Sequence, residues 1–331
     1  MERLTDMRKT NPGLRATVVA ALVAATVMIP SGPAAREEDG LTARLDFFGP
    51  GGPPFSYAGD PLLMRISLSN EGAGPVNNEQ GISLLKGFSI INEAGSRVPI
   101  KGAGADSKSQ PSRLAPGGFF GQTIDLNTVV EKPLATGTYV IRWEHGDTTS
   151  NSFTVKVIPK FDPTADYVAV FETEYGEIEF DLLTRKAARH VQNFYNLSHQ
   201  GFYDGTLLHQ IIKGVEIRGG DPEFSRKPFP RYPLEPEIAA DLKHTRGTLS
   251  MLRLEGSELD SGLHFVITLS ALPQYDGGLS IFGQMRKGDE ALSALESIPT
   301  TGQVQTPYYH PIRPVTLTSV VVRREGDGSG H

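Results

Sequence analysis

Tyr139-Val140-Ile141-Arg142-Trp143-Glu144 places Tyr139, Ile141 and Trp143 on one face and Arg142 and Glu144 on the other. A strand satisfies that period of two and a helix does not. Three more stretches carry apolar residues that a strand would place together: Met64, Ile66 and Leu68; Phe153, Val155 and Val157; and Phe120, Ile124 and Leu126. Gly-, Pro- and Asn-rich breaks separate them at 49–54, 70–78, 115–118 and 146–151, the last closing a hairpin. Short strands at this spacing predict an antiparallel β-sandwich over residues 41–158. Trp143, the only Trp, is then either a core residue or a surface ligand platform.

Leu134 to Trp143 resembles the late strands of immunoglobulin-like domains of exported bacterial proteins. Residues 159–165, framed by Pro159 and Pro163, read as a linker, because Pro cannot continue a central strand. A second domain is expected over 166–324, followed by a disordered tail at 325–331. It opens on two strands, Tyr167–Glu172 and Glu177–Leu182, and a helix over Ala187–His199. A second helix is expected at Glu290–Ile298.

Seven blocks of this second part, taken in order, resemble the cyclophilin peptidyl-prolyl isomerases. They are Thr173-Glu174-Tyr175-Gly176-Glu177-Ile178, Ala188 to Leu197, Gly201-Phe202-Tyr203-Asp204-Gly205-Thr206, Gly219-Gly220-Asp221-Pro222, Lys243 to Met251, Phe265-Val266-Ile267-Thr268-Leu269, and Asp276-Gly277 with Ile281-Phe282-Gly283. The resemblance implies a mainly β chain: the sandwich, then an eight-stranded closed β-barrel capped by two helices, with a substrate groove on its outer face. It implies rotation about X–Pro bonds of proline-containing, exported polypeptides, with no cofactor and no metal.

The same resemblance marks departures in the groove. The family's Arg after Phe-His, the donor to the prolyl nitrogen, falls on Gln210. Its Gln before Gly-Gly-Asp falls on Arg218. The pocket aromatics fall on Val215 and Val266, the neighbouring Met on Glu216, and a groove Gln on His264. The Trp-Leu pair and later His fall on Gln274, Tyr275 and Leu279, and the Ala-Asn-Ala loop on Leu252, Arg253 and Leu254. Scaffold matches persist while pocket matches are lost, so turnover is expected to be weak. Arg218, eight residues from Gln210 across a short turn, either reaches over the groove or pairs with Glu216, Asp221 or Glu235. His209 reads as a core residue and His244 as a loop-ordering one. The rivals are a pseudo-isomerase that binds peptides without turning them over and an envelope protein with purely structural contacts.

The first 34 residues combine a basic start (Arg3, Arg8, Lys9, Arg15), an uncharged run from Ala16 to Ile29, and small residues at Gly32 and Ala34. These are the parts of a cleaved secretory signal, and fourteen helical residues rise only about 21 Å, short of a bilayer's hydrocarbon core. The mature chain is therefore expected to be exported and without a membrane span. It would carry 28 Lys and Arg against 36 Asp and Glu, net −8. That charge supplies no field to attract nucleic acid. Cys is absent, which excludes disulfides, thiolate zinc sites and cysteine nucleophiles. The eight His residues form no helical i, i+4 pair around a Glu, and no Gly-x-Ser-x-Gly occurs. The Pro-rich run Lys227–Pro236 reads as a surface loop, and Asn196-Leu197-Ser198 as a glycosylation sequon inside the predicted helix.

Overall fold

A computed structural model describes residues 40–48, 54–77, 84–101, 113–221, 233–304 and 307–326. The expected signal segment, most of the Lys227–Pro236 loop and the end of the expected tail lie outside the described residues. The amino-terminal half opens with β1 (Leu41–Phe48), β2 (Phe55–Tyr57), β3 (Leu63–Asn70), β4 (Val76–Asn77), β5 (Phe88–Asn92), β6 (Arg113–Leu114) and β7 (Phe119–Asp125). There follow α1 (Leu126–Val129), β8 (Gly137–His145), β9 (Thr148–Thr149) and β10 (Phe153–Ile158). One sheet runs β1-β3-β7 and another β2-β10-β8-β5, with β9 folded back on β8. Met64, Ile66 and Ile124 from the first sheet share one apolar core with Ile90, Ile141, Trp143 and Val155 from the second.

Two expectations are corrected. The pairing is not wholly antiparallel, since β10 runs parallel to β2. Leu126 is not on a strand: Asp125 accepts from the backbone N–H of Asn127 at 3.0 Å, and this cap ends β7 and starts α1.

Trp143 is a core residue, fully buried, with Nε1 donating to the Leu84 carbonyl at 2.9 Å. A Cβ at Gly87 would meet its ring at 2.2 Å, so the backbone approaches the indole where only Gly fits. Trp143→Ala is expected to cost about 3–5 kcal/mol. A urea titration showing a loss below about 1 kcal/mol would contradict that placement.

The carboxyl-terminal half continues with β11 (Tyr167–Thr173), β12 (Gly176–Leu182), α2 (Ala188–His199), β13 (Gln210–Ile212), β14 (Glu216–Gly219), β15 (Thr248–Arg253), β16 (Asp260–Thr268), β17 (Ser280–Lys287), α3 (Asp289–Glu296) and β18 (Leu317–Arg324). The eight strands form one antiparallel sheet in the order β13-β14-β16-β15-β17-β12-β11-β18. Its edge strands do not pair as a ladder. Among the described residues the seam is one bridge, Leu207 to Thr316, with Leu208 N donating to Val315 O at 2.9 Å, Leu317 N to Thr206 O at 2.8 Å and Gly205 N to Leu317 O at 2.7 Å. Phe171, Phe180, Phe194, Tyr203, Phe265 and Phe282 interlock inside this sheet and against α2.

The segment 159–165 is packed rather than loose. Phe161 stacks on Tyr167 with centroids 5.1 Å apart and meets Tyr195 of α2 edge-on. Tyr57 of β2 donates to Asn196 Oδ1 at 2.9 Å, so the sequon side chain is engaged, and Gln192 donates to the Tyr57 hydroxyl. The described residues form one compact unit around two separate apolar cores.

Candidate functional site

β13 and β14 form a tight hairpin whose turn holds Gly214 at φ +71°, a left-handed conformation that Gly adopts without steric cost. Val215 N donates to Ile212 O across that turn, placing Val215 at its end, half-buried. The register sets Gln210 opposite Arg218 and Ile212 opposite Glu216; Arg218 faces Val266 of β16, and Val266 faces Ser250 of β15. With a strand period of two, Ile211, Ile217, Phe265 and Ile267 enter the core, while Gln210, Glu216, Arg218, Val266 and Ser250 share the opposite face. The sequence-predicted residues Gln210, Arg218, Glu216 and Val266 are therefore brought together in adjoining rows.

That face is covered. The 3₁₀ turn Pro273–Tyr275 and His244 lie over it. Tyr275 donates its hydroxyl to Glu216 Oε2 at 2.7 Å. Arg218 donates from Nε to Glu216 Oε1 at 2.6 Å, with Nη2 2.5 Å from the same oxygen. The Glu216 side chain is 1% exposed, and Arg218 is a third exposed. Of the two alternatives for Arg218, the structure shows the ion pair with Glu216, and its carboxylate is buried rather than solvated. Burial, then the neighbouring Glu216 carboxylate, raises the Tyr275 phenol above its ordinary pKa. A buried carboxylate with two donors thus stands where the resemblance implies an apolar proline pocket.

Gln210 is turned to another task, its Nε2 donating to the Tyr308 carbonyl at 3.3 Å. His264 lies two residues along β16 from Val266, with Nε2 3.8 Å from Asp221 Oδ1. His209 is pushed down to about 4, chiefly by burial; Asp221 opposes the shift, and His264, Arg218 and His310 add to it. It is therefore neutral near pH 7. His244 orders its loop as expected: Nδ1 is 3.0 Å from Asp276 Oδ1 and Nε2 3.0 Å from Ser250 Oγ.

Leu252, Arg253 and Leu279 gather to one side. Arg253 is committed to the scaffold, with Nε and Nη2 donating to Gly278 O at 3.1 and 2.8 Å and Nη1 3.4 Å from Asp260 Oδ1. The guanidinium ties the 254–259 loop to the 276–279 turn. Leu279 N is 3.2 Å from Tyr275 O within that turn, and Leu252 is half-buried beside Arg253. Tyr308 and Ser250 were not marked by the sequence. Tyr308 is 98 residues from Gln210, and no local pattern signals such a contact.

Among the described residues no group of three or more His, Cys, Asp or Glu could hold a metal ion, and no helix is long and apolar enough to cross a membrane. Residues 168–322 match the family model "cyclophilin type peptidyl-prolyl cis-trans isomerase/CLD". The chain is 34% identical over 160 residues to peptidyl-prolyl cis-trans isomerase-like 1 of Neurospora crassa, covering 47% of this chain and 94% of that one. It is 33% identical over 144 residues to peptidyl-prolyl cis-trans isomerase cypE of Dictyostelium discoideum, covering 41% and 88%. A solved Cryptosporidium parvum cyclophilin type isomerase, crystallised in the presence of the dipeptide Ala-Pro, is 33% identical with TM-score 0.43, covering 47% of this chain and 98% of that one.

Proposed function

The chain belongs to the cyclophilin-type peptidyl-prolyl cis-trans isomerase family, and from that premise we propose that residues 166–324 bind proline-containing stretches of exported polypeptides and isomerise them only weakly. Rotation about an X–Pro amide faces a barrier of about 18–20 kcal/mol, because the C–N bond has partial double-bond character. A donor to the prolyl nitrogen favours the pyramidal, deconjugated form, and an apolar pocket holds the ring. Weak turnover rests on one observation above the others: the Glu216 carboxylate is buried at the pocket position, with Arg218 and Tyr275 both on it. A proline ring entering there displaces a satisfied polar cluster instead of filling an apolar cavity. Gln210, already donating to Tyr308 O, is a neutral donor in place of a charged one.

The remaining positive donor at the groove is Arg218. Its solvent-facing part is the group that reaches a peptide amide, while Glu216 holds Nε and Nη2. On this reading Val215, His264 and Tyr275 line the peptide path, and Leu252, Arg253 and Leu279 frame it through the loops they hold; Val266, expected in the pocket, is fully buried beneath the covering turn and does not reach a peptide. The basic, apolar and small-residue segments of residues 1–34 support export by a cleaved signal. The two sheets around Trp143 support an immunoglobulin-like sandwich over 41–158, and the Leu207–Thr316 bridge supports a barrel closed at its seam.

The test is a proline-isomerisation assay on purified residues 35–331. The expected kcat/KM lies about 10²–10³-fold below that of a cyclophilin with the catalytic Arg, and Arg218→Ala is expected to remove most of what remains. Turnover equal to an Arg-bearing cyclophilin would overturn the weak-activity reading. A second reading is a peptide-binding module without turnover, favoured by the engagement of Arg218 with Glu216. It predicts binding of a proline peptide with no rate above the uncatalysed one. Export predicts that mass spectrometry of the secreted protein finds a new amino terminus near Ala35, and an intact Met1 would contradict it.

A further inference from the structure

Residues 299–304 and 307–312 fold into a loop pinned to the edge of β13. Thr301 N donates to His310 O at 2.9 Å, Tyr309 N to Gly302 O at 2.8 Å, and Ile312 N to Pro299 O at 3.0 Å. The loop is fastened to the hairpin by Ile211 N donating to Tyr309 O at 2.9 Å, by Gln210 Nε2 on Tyr308 O, and by His310 Nδ1 2.8 Å from His209 O. Tyr309 is held at φ +56°, the one non-Gly residue in the left-handed region among the described residues. Such a conformation costs of order 1–3 kcal/mol and persists where the surroundings impose it.

This loop leaves two large apolar side chains in water: Tyr308 is 54% and Ile312 66% exposed. The Tyr308 carbonyl is bonded to the side chain of Gln210, which stands directly opposite Arg218. The Tyr308 backbone therefore lies at the edge of the face that carries Gln210 and Arg218, and its ring is in solvent there. Tyr suits such a place, since a ring with few rotamers offers contact area at low entropic cost.

We infer that Tyr308, assisted by Ile312, is a specificity-determining contact that selects an apolar residue flanking the proline of an extended peptide. Gln210 is then a positioning residue: its amide holds the loop that presents the ring. The occupant is an extended polypeptide because the loop is bonded to the exposed edge of β13 and to Gln210, beside the residues to which the reading above assigns peptide binding. This inference rests on the peptide-binding reading above.

The experiment measures binding of two peptides, each with one central proline and solubilising lysines at both ends, the proline flanked on both sides by leucines in one and serines in the other. The full mature chain is expected to bind the leucine peptide about tenfold more tightly, as partial burial of an apolar side chain allows. Tyr308→Ser is expected to bring the ratio near one, Tyr308→Phe to keep it, and Ile312→Ser to lower it. Leucine preference unchanged in Tyr308→Ser overturns this inference and leaves the peptide-binding reading intact. No binding of either peptide overturns both. Self-association of the wild type, abolished by Tyr308→Ser while the peptide ratio stays at one, would assign the loop to a second copy of the chain and also overturn it.

Discussion

Replacing His190 with leucine is expected to cost about 3–5 kcal/mol of stability, as much as truncating the Trp143 indole. His190 is fully buried on α2, and both ring nitrogens face carboxylates: Nδ1 lies 2.7 Å from Glu237 Oε2 and Nε2 2.8 Å from Asp260 Oδ2. Asp260 is also fully buried and accepts from Ser280 Oγ at 2.6 Å. Both ring nitrogens are thus within hydrogen-bond distance of a carboxyl group, and the trio is a buried clamp joining α2, the 233–245 segment and β16. Leucine fills the volume but leaves the Asp260 charge with only Arg253 and Ser280 beside it. Asp260→Asn in the His190→Leu background is expected to recover part of the loss, because it removes the stranded charge. The check is urea unfolding of the three proteins, and a His190→Leu protein within 1 kcal/mol of wild type would show the clamp to be unimportant.

The clamp also carries a pH signature. Burial works against the Glu237 carboxylate, but hydrogen bonds from the His190 side chain and from the backbone N–H groups of His190 and Arg189 outweigh it and hold the carboxyl below its ordinary 4.5. A depressed carboxyl contributes stability above its unfolded value and loses it as pH falls through its folded value. Acidification below about 4.5 is thus expected to lower the wild-type urea midpoint more steeply than that of His190→Leu.

Rebuilding the groove is expected to have the largest effect on turnover. Gln210→Arg alone is expected to raise kcat/KM only a fewfold. The new guanidinium would stand opposite Arg218 and beside Glu216, whose buried carboxylate would draw it to the pocket floor and away from the prolyl nitrogen. Glu216→Met with Tyr275→Leu removes that acceptor and opens an apolar pocket. Adding Gln210→Arg to this pair is expected to raise kcat/KM by about 10²–10³ over wild type. Arg218→Ala is a poor route to the same end, because it leaves the Glu216 carboxylate buried with only Tyr275 as donor. If Gln210→Arg alone matches the triple variant, the buried carboxylate has no part in limiting turnover.

What could be read from the chain was local. The period-two alternation of Tyr139, Ile141 and Trp143 placed a strand with these three on one face, leaving the burial of Trp143 to the structure, and the seven cyclophilin-like blocks located the carboxyl-terminal half. The eight-residue spacing across a short turn also put Gln210 beside Arg218, since hairpin register follows from turn length and strand period. The substituted pocket was visible residue by residue. What each substituted side chain does was not, because the outer face of the sheet takes its partners from loops distant in sequence. Glu216 meets Tyr275 across 59 residues, Gln210 meets Tyr308 across 98, and His190 meets Asp260 across 70. No periodicity or propensity encodes which loop settles over which strand. Packing decides that, by bringing the donors of one segment to carboxylates that another has already buried.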